Sequence, residues 1–254
     1  MRLARLMTGE SSLRAGARWV RAEGSTWVPV EDPYAAFARG AEPADVPGGL
    51  VFGDGLAGDF LPPCEPLLVV GIAQNGPEHH SPVQAWLKSP RTVVASGVSV
   101  TLRRDAGVPA IEGEIAVVIG KDTRGLTAAN AHEYVLGVTA VNDVSSPDRA
   151  VLDPRNFEGK GGEGYTPLGP WIDTEAGIDE VPMTVRIDGV EQVSTGTWDL
   201  PSDIRTCLEY VSHWLRLGPG DVVMTGAPRS NFSVEPGALV EIEVAGMVLT
   251  TQTV

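Results

Sequence analysis

Cysteine is nearly absent. Cys64 and Cys207 are the only two in 254 residues, too few and too far apart for a disulfide framework or a CxxC-type metal site. They read as two small buried hydrophobes in a reducing compartment. Basic residues are also scarce: 19 Lys and Arg stand against 33 Asp and Glu, a net charge of −14. Such a mean field repels polyphosphates and anionic headgroups, so neither nucleic acid nor membrane is an expected partner. A small anionic substrate would need a metal, or a few placed Lys and Arg side chains, to reverse the sign locally. No apolar run approaches the roughly 20 residues that span a bilayer. The opening MRLARLM carries the charge of a secretory leader, but MTGESS interrupts it before an apolar stretch develops. The expectation is a soluble, cytoplasmic protein.

What is present is ample apolar material, 43% of the chain, enough for one large domain or a domain with an appendage. Residues 1–66 are rich in Gly, Pro, Ala and charge, with ARWVRAE and STWVPVED as short strands around turns. They are expected to form a small N-terminal domain, and PPCEP at 62–66 a connector. From 67 to 254 the signals are mostly strands: LLVVGIA, SVTL, GEIAVVIG, VLGVTAVND, MTVRIDGVEQ, DVVMTG and ALVEIEVAGMVLT. The Asp-Gly pair in IDGVEQ predicts a hairpin. Two segments predict helices: TAANAHEYV, with Thr127 as N-cap, and PSDIRTCLEYVSHWLRL, where Ile204, Leu208, Val211 and Leu215 recur at helical spacing. Many strands, few helices and no regular alternation of the two indicate a β-rich α+β fold.

The chemistry concentrates in IEGEIAVVIG, residues 111–120. Residues two apart on a strand share a face, so Glu112 and Glu114 point together at the mouth of an apolar run. Taken alone, such a pair more often decorates a solvated sheet surface. VLGVTAVNDV, however, is a second apolar strand that ends on another acid, Asp143. Like charges at the edge of an interior raise one another's pKa or call for a cation. Three carboxylates without Cys or a well-placed His make an all-oxygen site for Mg²⁺ or Mn²⁺, with Ca²⁺ also able to use such donors.

From GEIAVVIG through VLGVTAVNDVSS the sequence resembles the central block of the fumarylacetoacetate hydrolase family. LKSP (87–90), GK (159–160), PLGPWI (167–172), DGVEQ (188–192) and LGPGDVVMTGAP (217–228) follow the family's pattern in order, so the likeness spans residues 68–254. The resemblance implies a mixed, mostly antiparallel β-roll preceded by a small N-terminal domain and assembled as a homodimer. It also implies a divalent metal held by Glu112, Glu114 and Asp143. It places Lys160 beside that metal as a catalytic ammonium, against the plainer reading of a surface lysine in a Gly-rich loop. Lys88 corresponds to a substrate-binding lysine, although a buried-stem lysine fits its strand position equally well. Thr225 and Gly226 stand where the family has T-G-T-P, with Ala227 replacing the second Thr. Thr195 or Thr197 fills a substrate-facing role in QVSTGTWDL, which is one residue longer than the family's Q-x-x-N-T-x-D-M.

The largest departure is GIAQNGPEHHSP at 71–82. Acylpyruvate hydrolases of the family carry G-x-N-Y-x-x-H-x-x-E here, the His and Glu activating water. With Gly71 aligned, Pro77 falls under that His and His80 under that Glu. Either Glu78 with His79 or His80 rebuilds a base in a shifted loop, or the chemistry needs no such pair. The resemblance therefore implies an enzyme acting on a small 2-oxo or 2,4-dioxo acid, by acylpyruvate-type hydrolysis or oxaloacetate-type decarboxylation through a metal-stabilised enolate. Isomerisation or cyclisation of a larger enol, and a non-catalytic metal-binding descendant, are the alternatives.

Overall fold

A computed structural model of the chain describes residues 1–8, 16–48, 52–53, 60–77 and 81–254. Two mixed, mostly antiparallel sheets carry the molecule. Among the described residues the larger has 13 strands and the smaller five. The strand Ala110–Ile119 lies at the centre of the larger sheet, antiparallel to Val135–Asn142 on one side and Val222–Met224 on the other. Its odd-numbered face, Ile111, Ile115, Val117 and Ile119, packs with Val185, Val240, Ile242 and Val244 of the smaller sheet in one apolar core. Ala116 and Val118, on the even face, belong to a second core with Leu3, Val69, Leu168 and Val222. Each large aliphatic side chain buried this way contributes about 1.5–3 kcal/mol. The run is therefore apolar on both faces because both faces are covered.

Several local expectations hold. The strands Gly16–Glu23 and Thr26–Pro29 pair across a turn. The hairpin Pro182–Ile187 to Val190–Gly196 turns on Asp188 and Gly189, with φ of 51° and 76°, the left-handed pair an Asp-Gly two-residue loop supplies. Ile204–Trp214 is an α-helix: the carboxylate of Asp203 caps it by accepting the Thr206 N–H, and Ile204, Cys207, Leu208 and Val211 are buried. Both cysteines are buried and free, with thiols pushed up to about 12 by burial. No helix among the described residues is long and apolar enough to cross a membrane.

Two features differ from a simple reading of the pattern. The segment Ala128–Tyr134 is a 3-10 helix rather than an α-helix. The Asn130 side chain bonds back to the Thr127 N–H and the Gly125 carbonyl, a local alternative to the α-helical ladder. The N-terminal strands also continue the larger sheet, since Arg2–Thr8 pairs with Ile172–Asp173, and Leu3, Val30 and Cys64 share a core with Val118 and Val222.

Gly113, between the two glutamates, faces the smaller sheet, where an added Cβ would lie 2.6 Å from Val185 Cγ2. Close approach of the two sheets depends on this missing side chain. Gly113→Val should destabilise the fold by about 1–3 kcal/mol through overpacking, read as a lower midpoint in urea denaturation. An unchanged midpoint would show that the sheets do not close over this residue.

Candidate metal centre and active site

The strand register brings the acids together. Glu112 and Glu114 project from one face of Ala110–Ile119, and Asp143 follows directly on the neighbouring Val135–Asn142, where Asn142 pairs with Gly113. One oxygen from each carboxylate lies within 4.8 Å of the others. Each is aimed by a neighbour. Glu114 Oε2 accepts the Gly226 N–H at 2.7 Å, and Glu112 Oε1 accepts the Asn231 amide at 2.7 Å. Asp143 is gripped by two ammonium groups, Lys88 Nζ at 2.5 Å and Lys160 Nζ at 2.5 Å. Lys160 also donates to Glu112 Oε2 at 2.5 Å, so its ammonium bridges two of the three acids.

The charges follow from this crowding. Burial, with the charges of Asp143 and Glu112, pushes the Glu114 carboxyl well above its ordinary value. Burial also raises Glu112, although the Lys160 charge opposes it. Burial would raise Asp143 as well, but the Lys160 and Lys88 charges and hydrogen bonds win and bring it down to about 2. Lys160 is raised despite its burial because Asp143 and Glu112 hold its proton, so it remains an ammonium. Lys88 is lowered by burial, partly offset by Asp143. With all five groups ionised, three carboxylates against two ammonium groups leave one negative charge in excess. A dication turns the cluster into a net positive site, and its hard oxygen donors fit Mg²⁺ or Mn²⁺.

The cluster lines a cavity of about 690 Å³ together with Ile72, Asn75, Trp86, Arg229 and Phe232. Gln84, Trp86 and Lys88 alternate along one strand and share its face. Gln84 and Trp86 line the cavity, whereas Lys88 lies 3% exposed behind Asp143, donating also to the carbonyls of Val144 and Tyr165. Thr225 is turned inward, its hydroxyl on the Ile115 carbonyl, and it is the backbone of Gly226 that reaches the acids. Gly226 has φ +106°, and an added Cβ would meet the Asn75 carbonyl at 2.5 Å. Thr195 and Thr197 do not line the cavity: Thr195 donates to Asp199 and Thr197 to the Asp179 carbonyl. Glu78, His79 and His80 lie outside the described residues.

Sequence reasoning missed three contributors. Asn75 is buried and spans two loops, donating to the carbonyls of Thr225 and Ser202 and accepting the Ser202 N–H. Asn231 reaches Glu112 because Asn231–Ser233 pairs with the front of the glutamate strand. Trp86 places its ring 5.3 Å from Lys160 Nζ, a cation–π contact. An Asn two residues past the strand Val69–Ala73 was the one available signal, and it is weak.

Two outcomes are expected. Lys88→Met leaves Asp143 buried without one of its counter-charges and should cost about 3–5 kcal/mol in denaturant unfolding; a loss below the error of the measurement would mean that Lys88 is not what holds Asp143. In the metal-free protein the raised Glu114 holds its proton above the ordinary value of 4.5, so its contribution to stability is present at low pH and is lost as pH rises through the shifted value. Asp143 works oppositely, its contribution lost only as pH falls toward about 2. The rise in melting temperature caused by Mn²⁺ should therefore be larger near about pH 8 than near about pH 5. Equal shifts at both would show that protons and metal do not compete there.

Residues 65–254 match the family model described as fumarylacetoacetate (FAA) hydrolase C-terminal. The chain is 32% identical over 244 residues to a 4-hydroxyphenylacetate degradation bifunctional isomerase/decarboxylase of Salmonella dublin, covering 94% of this chain but only 50% of that protein. A maleylpyruvate hydrolase of Aquipseudomonas alcaligenes is 33% identical over 168 residues, 63% of this chain and 56% of its own. Among solved structures, a 5-carboxymethyl-2-hydroxymuconate delta-isomerase from Mycobacterium smegmatis superposes with a TM-score of 0.87 at 29% identity, covering 100% of this chain and 99% of the other. These matches, and the β-rich mixed-sheet fold they share with it, place the chain in the fumarylacetoacetate hydrolase family.

Proposed function

We propose that the protein is a divalent-metal-dependent enzyme of small 2-oxo or 2,4-dioxo acids, whose substrate releases as CO₂ the carboxylate borne on the carbon adjacent to its carbonyl and leaves an enolate that then takes up a proton. The observation that carries this reading is the triad, with its oxygens within 4.8 Å of one another in the wall of a cavity. Bound there, a hard dication supplies Lewis-acid stabilisation to the negative charge that develops on the substrate's carbonyl oxygen. The chain's own groups do the rest. Gly226, Asn231 and Lys88 hold the three carboxylates in place. Lys160, whose ammonium bridges Asp143 and Glu112, stands as a positive charge and donor beside the reacting oxygen.

The water-activating pair of acylpyruvate hydrolases is incomplete in either register. Aligned on Gly71, the pattern puts Pro77 in the place of its His. Aligned on Asn75, which lines the cavity, it puts His79 under the His but Pro82 under the Glu. A proline neither takes nor orients a proton, which favours decarboxylation over hydrolysis. Double-bond isomerisation through the same enolate is the second reading, supported by the isomerase names of relatives that match over nearly their whole length. The reading includes a homodimer, to which the exposed Val151, Leu152 and Phe157 beside the cavity would contribute apolar surface.

With Mg²⁺, the protein should consume oxaloacetate faster than an acylpyruvate, followed as loss of enol absorbance. Glu112→Ala, Glu114→Ala and Asp143→Ala should each abolish this and weaken Mn²⁺ binding in calorimetric titration. Unchanged Mn²⁺ affinity in two of the three variants would end the metal assignment. Acylpyruvate cleavage at the faster rate would restore hydrolysis.

A further inference from the structure

The segment that supplies the Gly226 N–H to Glu114 and the Asn231 amide to Glu112 also carries Arg229 into the cavity. Its backbone is left-handed, φ 59°, a conformation uncommon for a residue with a side chain and one that recurs at ligand sites. Its side chain is 60% exposed although it lines the cavity. The nearest acid, Asp199 Oδ1, lies 3.6 Å from Nη2, close enough to attract the guanidinium but too far to accept a hydrogen bond. Asp199 is itself oriented by the Thr195 hydroxyl, which donates to its other oxygen at 2.7 Å. Arg229 is thus tethered by charge while its N–H fork makes no hydrogen bond to any described residue.

A guanidinium fork without a hydrogen-bond partner among the described residues fits one chemistry above others, a carboxylate taken in bidentate fashion. Lys88 spends its three N–H groups on Asp143 and the Val144 and Tyr165 carbonyls, and Lys160 spends two of its three on Glu112 and Asp143, so neither ammonium offers a fork for that purpose. Ile72, Trp86 and Phe232 provide apolar wall. Building on the reading that the triad end takes the 2-oxo acid group, we propose that Arg229 is a specificity-determining residue that receives a second, distal carboxylate of the substrate. Thr195 and Asp199 act as positioning residues that hold it without occupying its donors. Thr195, one of the two threonines either of which the sequence placed facing substrate, then acts at one remove.

The test is calorimetric titration of the Mn²⁺-loaded protein with oxalate and with pairs of 2-oxo acids of equal carbon number, one member ending in a carboxylate and the other in a methyl group: 2-oxoglutarate and 2-oxopentanoate, 2-oxoadipate and 2-oxohexanoate, 2-oxopimelate and 2-oxoheptanoate. At least one diacid should bind roughly 10- to 100-fold more tightly than its partner, the range of a charge-assisted hydrogen-bonded pair. Arg229→Gln should erase that preference, and Arg229→Lys, which keeps the charge but not the fork, should retain part of it. Oxalate, which has no distal tail, reports on the triad end in every variant. If the wild type binds oxalate but does not distinguish the members of any pair, or if Arg229→Gln keeps the preference, the role of Arg229 is overturned by itself. Failure of the wild type to bind oxalate with Mn²⁺ would overturn the chelation reading and this inference with it.

Discussion

Three carboxylates held within 4.8 Å of one another repel, and burying them strips away the water that would screen the repulsion. Much of the surrounding structure answers that problem. Two lysines bring opposite charge, a backbone N–H and an asparagine amide bring fixed dipoles, and with all groups ionised one negative charge remains in excess. Carboxylates in open solvent need none of this, because water and salt screen them at little cost. The expense of the arrangement is the physical reason to regard it as a site rather than as surface decoration.

The scaffold solves the placement with sheet register. A strand presents side chains to alternate faces, so a single run can send Ile111 and Ile115 into one core, Ala116 and Val118 into another, and Glu112 and Glu114 into a cavity. The antiparallel partner delivers Asp143 one residue past the pair Asn142 and Gly113, and the strand on the other side runs directly into Gly226. Rigid central strands flanked by two apolar cores are a firm base for a charge cluster, and they keep the like charges from relaxing apart.

Around that base the cavity wall combines strand ends, short helices and loops. The stretches 72–77 and 226–231 face each other, Asn75 spanning from one to the Thr225 carbonyl that begins the other. Loop residues such as Arg229 and Pro77 set what surrounds the cluster, while the strands set the cluster itself. Members of one family can in this way keep the same charged centre and differ in the bond they act on.

The amino-acid sequence by itself determined the elements whose signals are local. Alternation marked the strands, Asp188-Gly189 the hairpin turn, the spacing of Ile204, Leu208 and Val211 the long helix, and the E-x-E pair with a strand-end Asp the three acids. Tertiary structure alone decided what depends on neighbours distant along the chain. Lys88 is turned under Asp143, Thr225 yields its place at the acids to the Gly226 amide, and Thr195 bonds to Asp199 rather than lining the cavity. Asn75 and Asn231 acquire their importance only from partners more than 100 residues away. A side chain's face can be read from its own segment, but its hydrogen-bond partner is settled by which other segments the packed cores bring against it.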